Sequence, residues 1–202
     1  FGVFSPLRGE YLDLIAQAPL TPNIQTAFDI GTGSGVIAAV LAKRGIPDII
    51  ATDTNPKAIA CATANLERLG LDKAVSIQSI DLFPESCADL IVCNPPWLPA
   101  KPTSAIETAL YDPNHAMLTA FLNGVRKHLN PNGEVWLIIS DLAEHLHLRD
   151  KDFLQQCFQT ASLNVVDILK TKPQHKKAID ESDPLAFARN KETTYLYRLK
   201  AI

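Results

Sequence analysis

Short runs of apolar residues alternate along the chain with longer stretches in which apolar positions recur every three or four residues. The short runs predict buried strands, and the longer spacing predicts helices with one apolar face. Strands are predicted at residues 27–30, 49–53, 74–78, 89–93, 134–140, 165–169 and 193–199. Helices are predicted between them at residues 36–45, 56–70, 114–129 and 151–161.

This alternation predicts an α/β fold, a doubly wound, seven-stranded, mostly parallel sheet with helices on both faces. The last strand follows a polar, basic stretch at residues 170–190, which is predicted to be an exposed loop, and this strand is expected to be antiparallel. In such sheets ligands bind beyond the carboxyl ends of the strands, where the strand order reverses. Residues that directly follow strands are therefore the candidates for a site.

A further helix is predicted at residues 8–17, before the first strand. Its inner face is expected to carry Tyr11, Leu12, Ile15 and Ala16. We therefore divide the chain into an N-terminal loop and helix that cover the core, residues 1–26, and the sheet domain, residues 27–202. Because the chain begins with phenylalanine rather than methionine, we expect it to be part of a longer product.

Composition narrows the class of protein. The 47% apolar content and net charge of −3 suit one compact domain and give no overall signature of nucleic-acid binding. No apolar run is long enough for a membrane span, and no signal peptide is evident, so no membrane partner is predicted. Four cysteines without a C-x-x-C pair predict reduced thiols in a cytoplasmic protein and no metal site: Cys61, Cys87, Cys93 and Cys157.

A glycine-rich segment, AFDIGTGSG at residues 27–35, joins the first strand to the first helix of the sheet domain. Glycines at positions 31, 33 and 35 let the backbone approach a ligand, and the helix that follows directs free N–H groups toward it. Val36 stands where the dinucleotide-binding fingerprint needs its third glycine, which counts against a nicotinamide cofactor. A tight turn that binds nothing is the alternative interpretation.

Carboxylates follow the next two strands. Asp53 ends the second strand, where it could accept hydrogen bonds from both hydroxyls of a ribose, or could instead cap the helix that begins at Pro56. Asp81 follows the third strand and could accept from the amino group of an adenine, or could be a turn residue without a ligand.

The fourth strand leads directly into Asn94-Pro95-Pro96-Trp97. The two prolines stiffen this turn, so the Asn94 amide oxygen and the Pro95 carbonyl can be held as two fixed acceptors. Two neighbouring acceptors suit an NH₂ group, and Trp97 offers a flat face on which a planar amide or base can stack. The alternative interpretation is that these four residues have only a structural role, as a rigid loop with a buried indole.

Together, DIGTGSG and NPPW resemble the class I S-adenosylmethionine-dependent methyltransferases. They are most similar to the N-methyltransferases with an Asn-Pro-Pro-aromatic loop, which include release-factor glutamine methyltransferases and enzymes that methylate amino groups of rRNA, tRNA or DNA. The resemblance covers residues 29–199 and implies a Rossmann-like fold and S-adenosyl-L-methionine as cofactor. In this family the aromatic position is more often tyrosine or phenylalanine, so Trp97 leaves the shape of the acceptor open.

The resemblance also implies roles for individual residues. The glycines would contact the methionine part of the cofactor, Asp53 its ribose, and Asp81 with Leu82 its adenine. The complete implied cofactor-binding set is Asp29, Gly31, Thr32, Gly33, Gly35, Asp53, Thr54, Asp81, Leu82 and Asn94. The implied catalytic set is Asn94, Pro95, Pro96 and Trp97.

The methyl acceptor is expected to be a macromolecule. Residues 5–10 and 107–110 loosely resemble segments of the glutamine methyltransferases, which favours a protein glutamine amide. The alternative is an exocyclic amino group in rRNA or tRNA, less so in DNA, because a basic run that could equally be a solvated surface includes Lys170, Lys172, His175, Lys176 and Lys177.

Two other function classes fit the sequence less well. A dinucleotide-dependent oxidoreductase would have no use for residues 94–97, and a non-catalytic nucleotide-binding domain would be expected to have lost Asn94 or a glycine. His145 and His147 are interpreted as solvated residues rather than as metal ligands or bases. The sequence indicates no oligomeric state.

Overall fold

The protein is described from a computed structural model that covers residues 9–99, 111–172 and 186–202. The strands are β1 (Thr26–Ile30), β2 (Asp48–Asp53), β3 (Val75–Ser79), β4 (Ala88–Cys93), β5 (Leu129–Ser140), β6 (Leu163–Thr171) and β7 (Thr194–Ala201). The helices are α1 (Glu10–Gln17), α2 (Val36–Lys43), α3 (Pro56–Leu69), α4 (Ala116–Val125), α5 (Leu142–His145), α6 (Phe153–Thr160) and α7 (Ala186–Arg189).

The strands form one sheet in the order β3-β2-β1-β4-β5-β7-β6. All neighbouring pairs up to β5 are parallel, and β7 is antiparallel to both β5 and β6. The predicted fold class, including the antiparallel last strand, is confirmed. The chain winds outward from β1 to β3 and then returns to β4 on the other side of β1, so the strand order reverses between β1 and β4.

The register of the sheet aligns the ends of three strands. Ile30, the last residue of β1, pairs with Thr52 of β2 on one side and with Cys93 of β4 on the other. The glycine loop after Ile30 and the loop that begins at Asn94 therefore leave the sheet side by side, with Asp53 next to them. The predicted crevice is consequently formed by the carboxyl ends of β1, β2 and β4.

Two apolar cores lie on opposite faces of the sheet, because successive strand residues alternate between them. The first core packs α1, α2 and α3 against the sheet and includes Leu41 and Ile49. The second packs α4 and α6 against the other face and includes Phe121 and Phe158. Trp97 contacts both cores from the carboxyl edge of the sheet.

The inner face of α1 differs in part from the prediction. Tyr11, Leu14, Ile15 and Ala18 are buried at i, i+3, i+4 and i+7 spacing, whereas Ala16 is exposed. The prediction omits Leu14 from this face and wrongly includes Ala16. The predicted α3 is confirmed: the Asn55 side chain accepts a hydrogen bond from the Lys57 backbone N–H at 3.0 Å, and Gly70 ends the helix with φ of +67°.

The single helix predicted at residues 114–129 is wrong. It is divided into a 3₁₀ turn at Pro113–His115, α4, and a second 3₁₀ turn at Arg126–His128. Asn114 and His115 have positive φ values of 55° and 57°, which an α-helix cannot contain.

Three further boundaries differ from the prediction. β5 starts at Leu129 rather than at residue 134, because a bulge opposite Ala88–Leu90 accommodates the turn residues. The unpredicted helix α5 follows β5 directly. The stretch at 170–190 is not only loop, because β6 extends to Thr171 and α7 buries Ala188, while residues 173–185 lie outside the described part of the chain.

All four cysteines are free thiols. Within the three described ranges, no group of three His, Cys, Asp or Glu side chains is placed to hold a metal ion. In the same residues, no helix has the length and apolar character that crossing a membrane requires.

Candidate active site

The glycine loop is a backbone cradle at the end of β1. Gly31, Gly33 and Gly35 have φ values of +71°, +56° and +79°, a region that side chains rarely adopt. At Gly35 a Cβ atom would lie 3.1 Å from the Ala62 Cβ and 3.2 Å from its Cα, so this glycine also lets α3 approach the loop. These positions require glycine for conformation, and Gly35 requires it for space as well.

Asp29 lies beneath this cradle and is fully buried. Its Oδ2 atom accepts hydrogen bonds from the Thr32 hydroxyl at 2.6 Å and from the Ala38 backbone N–H at 3.0 Å, while its Oδ1 atom has no hydrogen-bond partner among the described residues. Burial raises the pKa of Asp29 to about 6; the two hydrogen bonds act in the opposite direction, and the Asp53 charge adds to the rise. A buried acceptor is therefore left for a donor that residues 9–99, 111–172 and 186–202 do not supply.

The Asp53 carboxylate links the glycine loop to the bend that follows β2. Its Oδ2 atom accepts from the Gly33 N–H at 2.9 Å, and its Oδ1 atom accepts from the Asn55 N–H at 2.8 Å. Each carboxylate oxygen keeps a free lone pair, which leaves acceptors for ligand hydroxyls. Asn55, not Asp53, is the N-cap residue of α3. The alternative prediction that Asp53 caps this helix is therefore wrong.

The turn after β3 is held by β2. Leu82 has a positive φ of 54°, and its carbonyl accepts a 2.7 Å hydrogen bond from the buried Thr52 hydroxyl. Asp81 beside it is exposed. The structure therefore brings the predicted adenine-side residues to the same edge as Asp53.

The two predicted threonines differ in position. Thr32 is buried, and its hydroxyl is engaged by Asp29, so this side chain supports the loop from below. The Thr32 backbone N–H donates to the Thr52 carbonyl at 2.8 Å, which fastens the loop to β2. Thr54 is exposed at the bend that follows β2.

The Asn94 loop closes the other side of the crevice. Asn94 is half-buried, Pro95 is buried, and the Trp97 indole N–H donates a 2.9 Å hydrogen bond to the Asn94 Oδ1 atom. Beyond Trp97, the Leu98 carbonyl accepts from the Asp112 N–H at 2.8 Å, and Leu98 forms a parallel β-bridge with Tyr111. The loop is therefore tied down at both of its described ends.

Asp112 in turn fixes the start of α4. Its two carboxylate oxygens accept from the backbone N–H groups of Met117 at 2.9 Å and Leu118 at 3.0 Å. The Met117 Cε atom lies 2.7 Å from the position that a Cβ of Gly31 would occupy. The chain of contacts from Leu98 through Asp112 thus places Met117 over the glycine loop.

Tyr11 and Met117 were not predicted as site residues. Burial, followed by the nearby Asp29 charge, raises the pKa of the buried Tyr11 hydroxyl, and a hydrogen bond with the Asn94 side chain acts in the opposite direction. The sequence pattern predicts Tyr11 on the inner face of α1. It does not show which strands, or which ends of them, this face contacts.

The polar side chains after β5 are arranged differently from the predicted solvated stretch. His147 is exposed, as predicted, whereas His145 is half-buried with its Nε2 atom 3.5 Å from the Asp141 carboxylate. Arg149 is buried and makes a two-pronged ion pair with Glu144 at 2.9 and 2.8 Å. His115 is also buried, and its ring packs at an interplanar angle of 33° against Phe153, with the ring centroids 4.4 Å apart.

The assembled crevice suits a ligand with one cationic donor and two neighbouring hydroxyls. The unpaired Oδ1 atom of Asp29 fits an amino group, the carboxylate of Asp53 fits a diol, and the glycine loop admits a chain between them. S-adenosyl-L-methionine carries these groups. The residues present therefore fit the cofactor that the sequence resemblance implies.

Comparisons with known proteins agree with this geometry. Residues 11–169 match the family model of the methyltransferase small domain. The chain is 34% identical over 140 residues to the release factor glutamine methyltransferase of Cereibacter sphaeroides, which covers 62% of this chain and 50% of that protein. It is 35% identical over 134 residues to the tRNA1(Val) (adenine(37)-N6)-methyltransferase of Cytophaga hutchinsonii, which covers 62% and 56% of the two chains.

The chain thus spans about half the length of these curated relatives. Among solved structures, a SAM-dependent methyltransferase from Thiobacillus denitrificans in complex with S-adenosyl-L-homocysteine aligns over 100% of this chain and 94% of its own. The TM-score is 0.64 at 16% identity, which supports the same fold.

Proposed function

The chain belongs to the methyltransferase small domain family, and we propose that it transfers a methyl group from S-adenosyl-L-methionine to a planar NH₂ nitrogen, first of all a glutamine side-chain amide in a protein. The observation that carries this proposal is the register of β1 and β4. Because Ile30 pairs with Cys93, the cofactor cradle and the Asn94 acceptor loop emerge next to each other.

The cofactor supplies a methyl group already activated on a sulfonium. Asp29 would hold its amino group, the backbone at Gly31 and Gly33 would contact its methionine part, and Asp53 would bind its ribose. Asp81 and Leu82 would contact its adenine, with Thr54 at the neighbouring bend.

The residues of the Asn94 loop act on the acceptor. The nitrogen of an amide is a poor nucleophile, because its lone pair is delocalised into the carbonyl. Hydrogen bonds from the NH₂ group to the Asn94 Oδ1 atom and the Pro95 carbonyl turn the lone pair out of conjugation, and they strengthen as positive charge develops on nitrogen. Pro96 stiffens the turn, and Trp97 offers the half-buried aromatic surface beside it.

A protein acceptor is favoured by the overall charge of −3, which gives no general attraction to a phosphate backbone. The relative named as a tRNA adenine methyltransferase supports the second candidate, the exocyclic amino group of a base. Lys170 and Lys172 are exposed, whereas His175, Lys176 and Lys177 and both glutamine-type segments lie outside the described residues. The free cysteines suit a cytoplasmic location.

Methylation of a cell extract with methyl-labelled S-adenosyl-L-methionine tests the proposal. We expect label in the protein fraction, recovered as N-methylglutamine after enzymatic digestion. Label confined to RNA would exclude the glutamine acceptor and select the base amino group. Absence of label from protein, RNA and DNA would contradict methyl transfer to a macromolecule. Calorimetric titration with NAD, for which no binding is expected, separates this function from that of a dinucleotide enzyme.

A further inference from the structure

Trp97, the aromatic residue of the Asn94 loop, makes a hydrogen bond through its ring. Its indole N–H donates to the Asn94 Oδ1 atom at 2.9 Å. Phenylalanine has no ring donor, and the hydroxyl of tyrosine lies at the far end of the ring. The ring itself is held in place, because it packs against the apolar cores on both faces of the sheet.

This contact has a consequence for the Asn94 amide. The oxygen and the NH₂ group of an asparagine exchange places when its side chain rotates, and only the oxygen can accept from an indole N–H. The Trp97 contact therefore selects one of the two orientations of the Asn94 amide, the one with its oxygen toward the indole.

We propose that the Trp97 indole N–H is a positioning group that fixes the Asn94 amide with its carbonyl oxygen available to the acceptor nitrogen. A carbonyl oxygen has two lone pairs, so Trp97 engages one and leaves the other for the NH₂ group of the acceptor. This inference rests on the proposed function of Asn94 as the acceptor of that hydrogen bond. It goes further in assigning a positioning role to the ring donor of Trp97.

The physical effect is preorganisation. Without Trp97 as donor, the amide can present its NH₂ group toward the acceptor nitrogen, where it repels the acceptor N–H instead of receiving it. Loss of one neutral hydrogen bond corresponds to a roughly 3- to 10-fold fall in the population of the correct orientation. Phenylalanine keeps a flat, though smaller, aromatic face at this position, so acceptor binding is expected to change little.

The hydrogen bond can be observed without any activity. The chain has two tryptophans, so an indole ¹H–¹⁵N spectrum contains two signals, which Trp97→Phe assigns. The N–H of Trp136 donates to the Glu134 carboxylate at 2.7 Å and serves as internal reference. In Asn94→Ala we expect the Trp97 signal to move upfield and its proton to exchange faster with solvent, with Trp136 unchanged. An unaltered Trp97 signal would overturn the proposed contact even if the enzyme proves inactive.

Kinetics then test the catalytic consequence. With labelled cofactor and the protein fraction of a cell extract, Trp97→Phe should lower kcat about 3- to 10-fold while the half-saturating extract concentration stays within twofold. Tyr197→Phe, which removes a polar ring group in β7 away from the Asn94 loop, is the control and should retain wild-type kcat. An unchanged or increased kcat in Trp97→Phe would refute the positioning role. Failure of the wild-type protein to transfer methyl would instead refute the proposed function, and the spectrum would still decide the contact.

Discussion

The Thr52 hydroxyl donates a 2.7 Å hydrogen bond to the Leu82 carbonyl, while the Thr52 carbonyl accepts a 2.8 Å hydrogen bond from the Thr32 N–H. One fully buried residue of β2 therefore fastens both the glycine loop and the turn after β3. These two segments border opposite parts of the crevice that is predicted to bind the cofactor. The distance between them is therefore set by a residue within β2, not by one of the residues that follow a strand.

Thr52→Val should weaken both stability and cofactor binding. Valine has the same shape but leaves the Leu82 carbonyl without its donor, which costs about 1 to 3 kcal/mol of the free energy of unfolding. Denaturant unfolding and calorimetric titration with S-adenosyl-L-methionine measure the two effects. Thr52→Ser keeps the hydroxyl and should stay close to wild type in cofactor affinity. Wild-type affinity in Thr52→Val would show that the turn at Leu82 does not border the cofactor.

Asp53→Ala should reduce the affinity for S-adenosyl-L-methionine by about 1.5 to 3 kcal/mol, because charge-assisted hydrogen bonds to the ribose are lost together with the contacts to Gly33 and Asn55. Asp48→Ala is the matched control, since Asp48 is an exposed carboxylate at the other end of the same strand. Equal affinities of the two variants in calorimetry would remove Asp53 from the ribose site.

Gly35→Ala should destabilise the fold more than Gly33→Ala. Both residues have positive φ, so each alanine carries a conformational cost of about 1 to 2 kcal/mol. A Cβ at Gly33 meets no atom within 4 Å, whereas one at Gly35 meets the backbone of α3 at 3.2 Å and adds an overpacking cost of about 1 to 3 kcal/mol. Equal unfolding free energies of the two variants would contradict the close approach of α3.

Cofactor binding should depend on pH through Asp29, because burial raises the pKa of this carboxyl group to about 6. In the free protein a raised carboxyl pKa stabilises the fold at low pH, and this contribution is lost as pH rises through about 6. A cationic amino group at the Oδ1 atom favours the ionised carboxylate. Affinity for S-adenosyl-L-methionine should therefore increase with pH up to about 6, with proton release, and then level off.

Calorimetry in two buffers of different ionisation enthalpy measures this proton release directly. Asp29→Asn cannot ionise and is expected to abolish both the release and the change of affinity near pH 6. Proton release of the same size in Asp29→Asn would assign the titration to another group.

The sequence predicted the features that depend on local chemistry. Glycines at positive φ after a buried strand, and Asn55 and Gly70 at the ends of α3, follow from neighbouring residues alone. The alternation of predicted strands with predicted helices was sufficient to predict the fold class. The roles of the candidate site residues, and the division of the chain at residues 26 and 27, stay predictions.

The remaining features depend on contacts between distant segments. The prediction of a continuous helix from residue 114 failed because Asp112 caps α4 across an intervening 3₁₀ turn, which ordinary cap spacing does not show. Thr32 belongs to the implied cofactor-binding set, and the sequence does not show that its hydroxyl donates to Asp29, because that contact depends on how the loop turns the side chain inward. Tyr11 lies near Asp29 because α1 packs on α2 and on the sheet at β6 and β7, which are distant in the sequence.

The rate of methyl transfer in Asn94→Ala tests the central claim most directly. A single turnover is measured at saturating labelled S-adenosyl-L-methionine with the protein fraction of a cell extract, and Asn123→Ala, an exposed asparagine on α4, is the matched control. We predict a rate lower by a factor of about 10² to 10³ for Asn94→Ala, with cofactor affinity unchanged and the control at the wild-type rate. Transfer by Asn94→Ala at the wild-type rate would contradict the account.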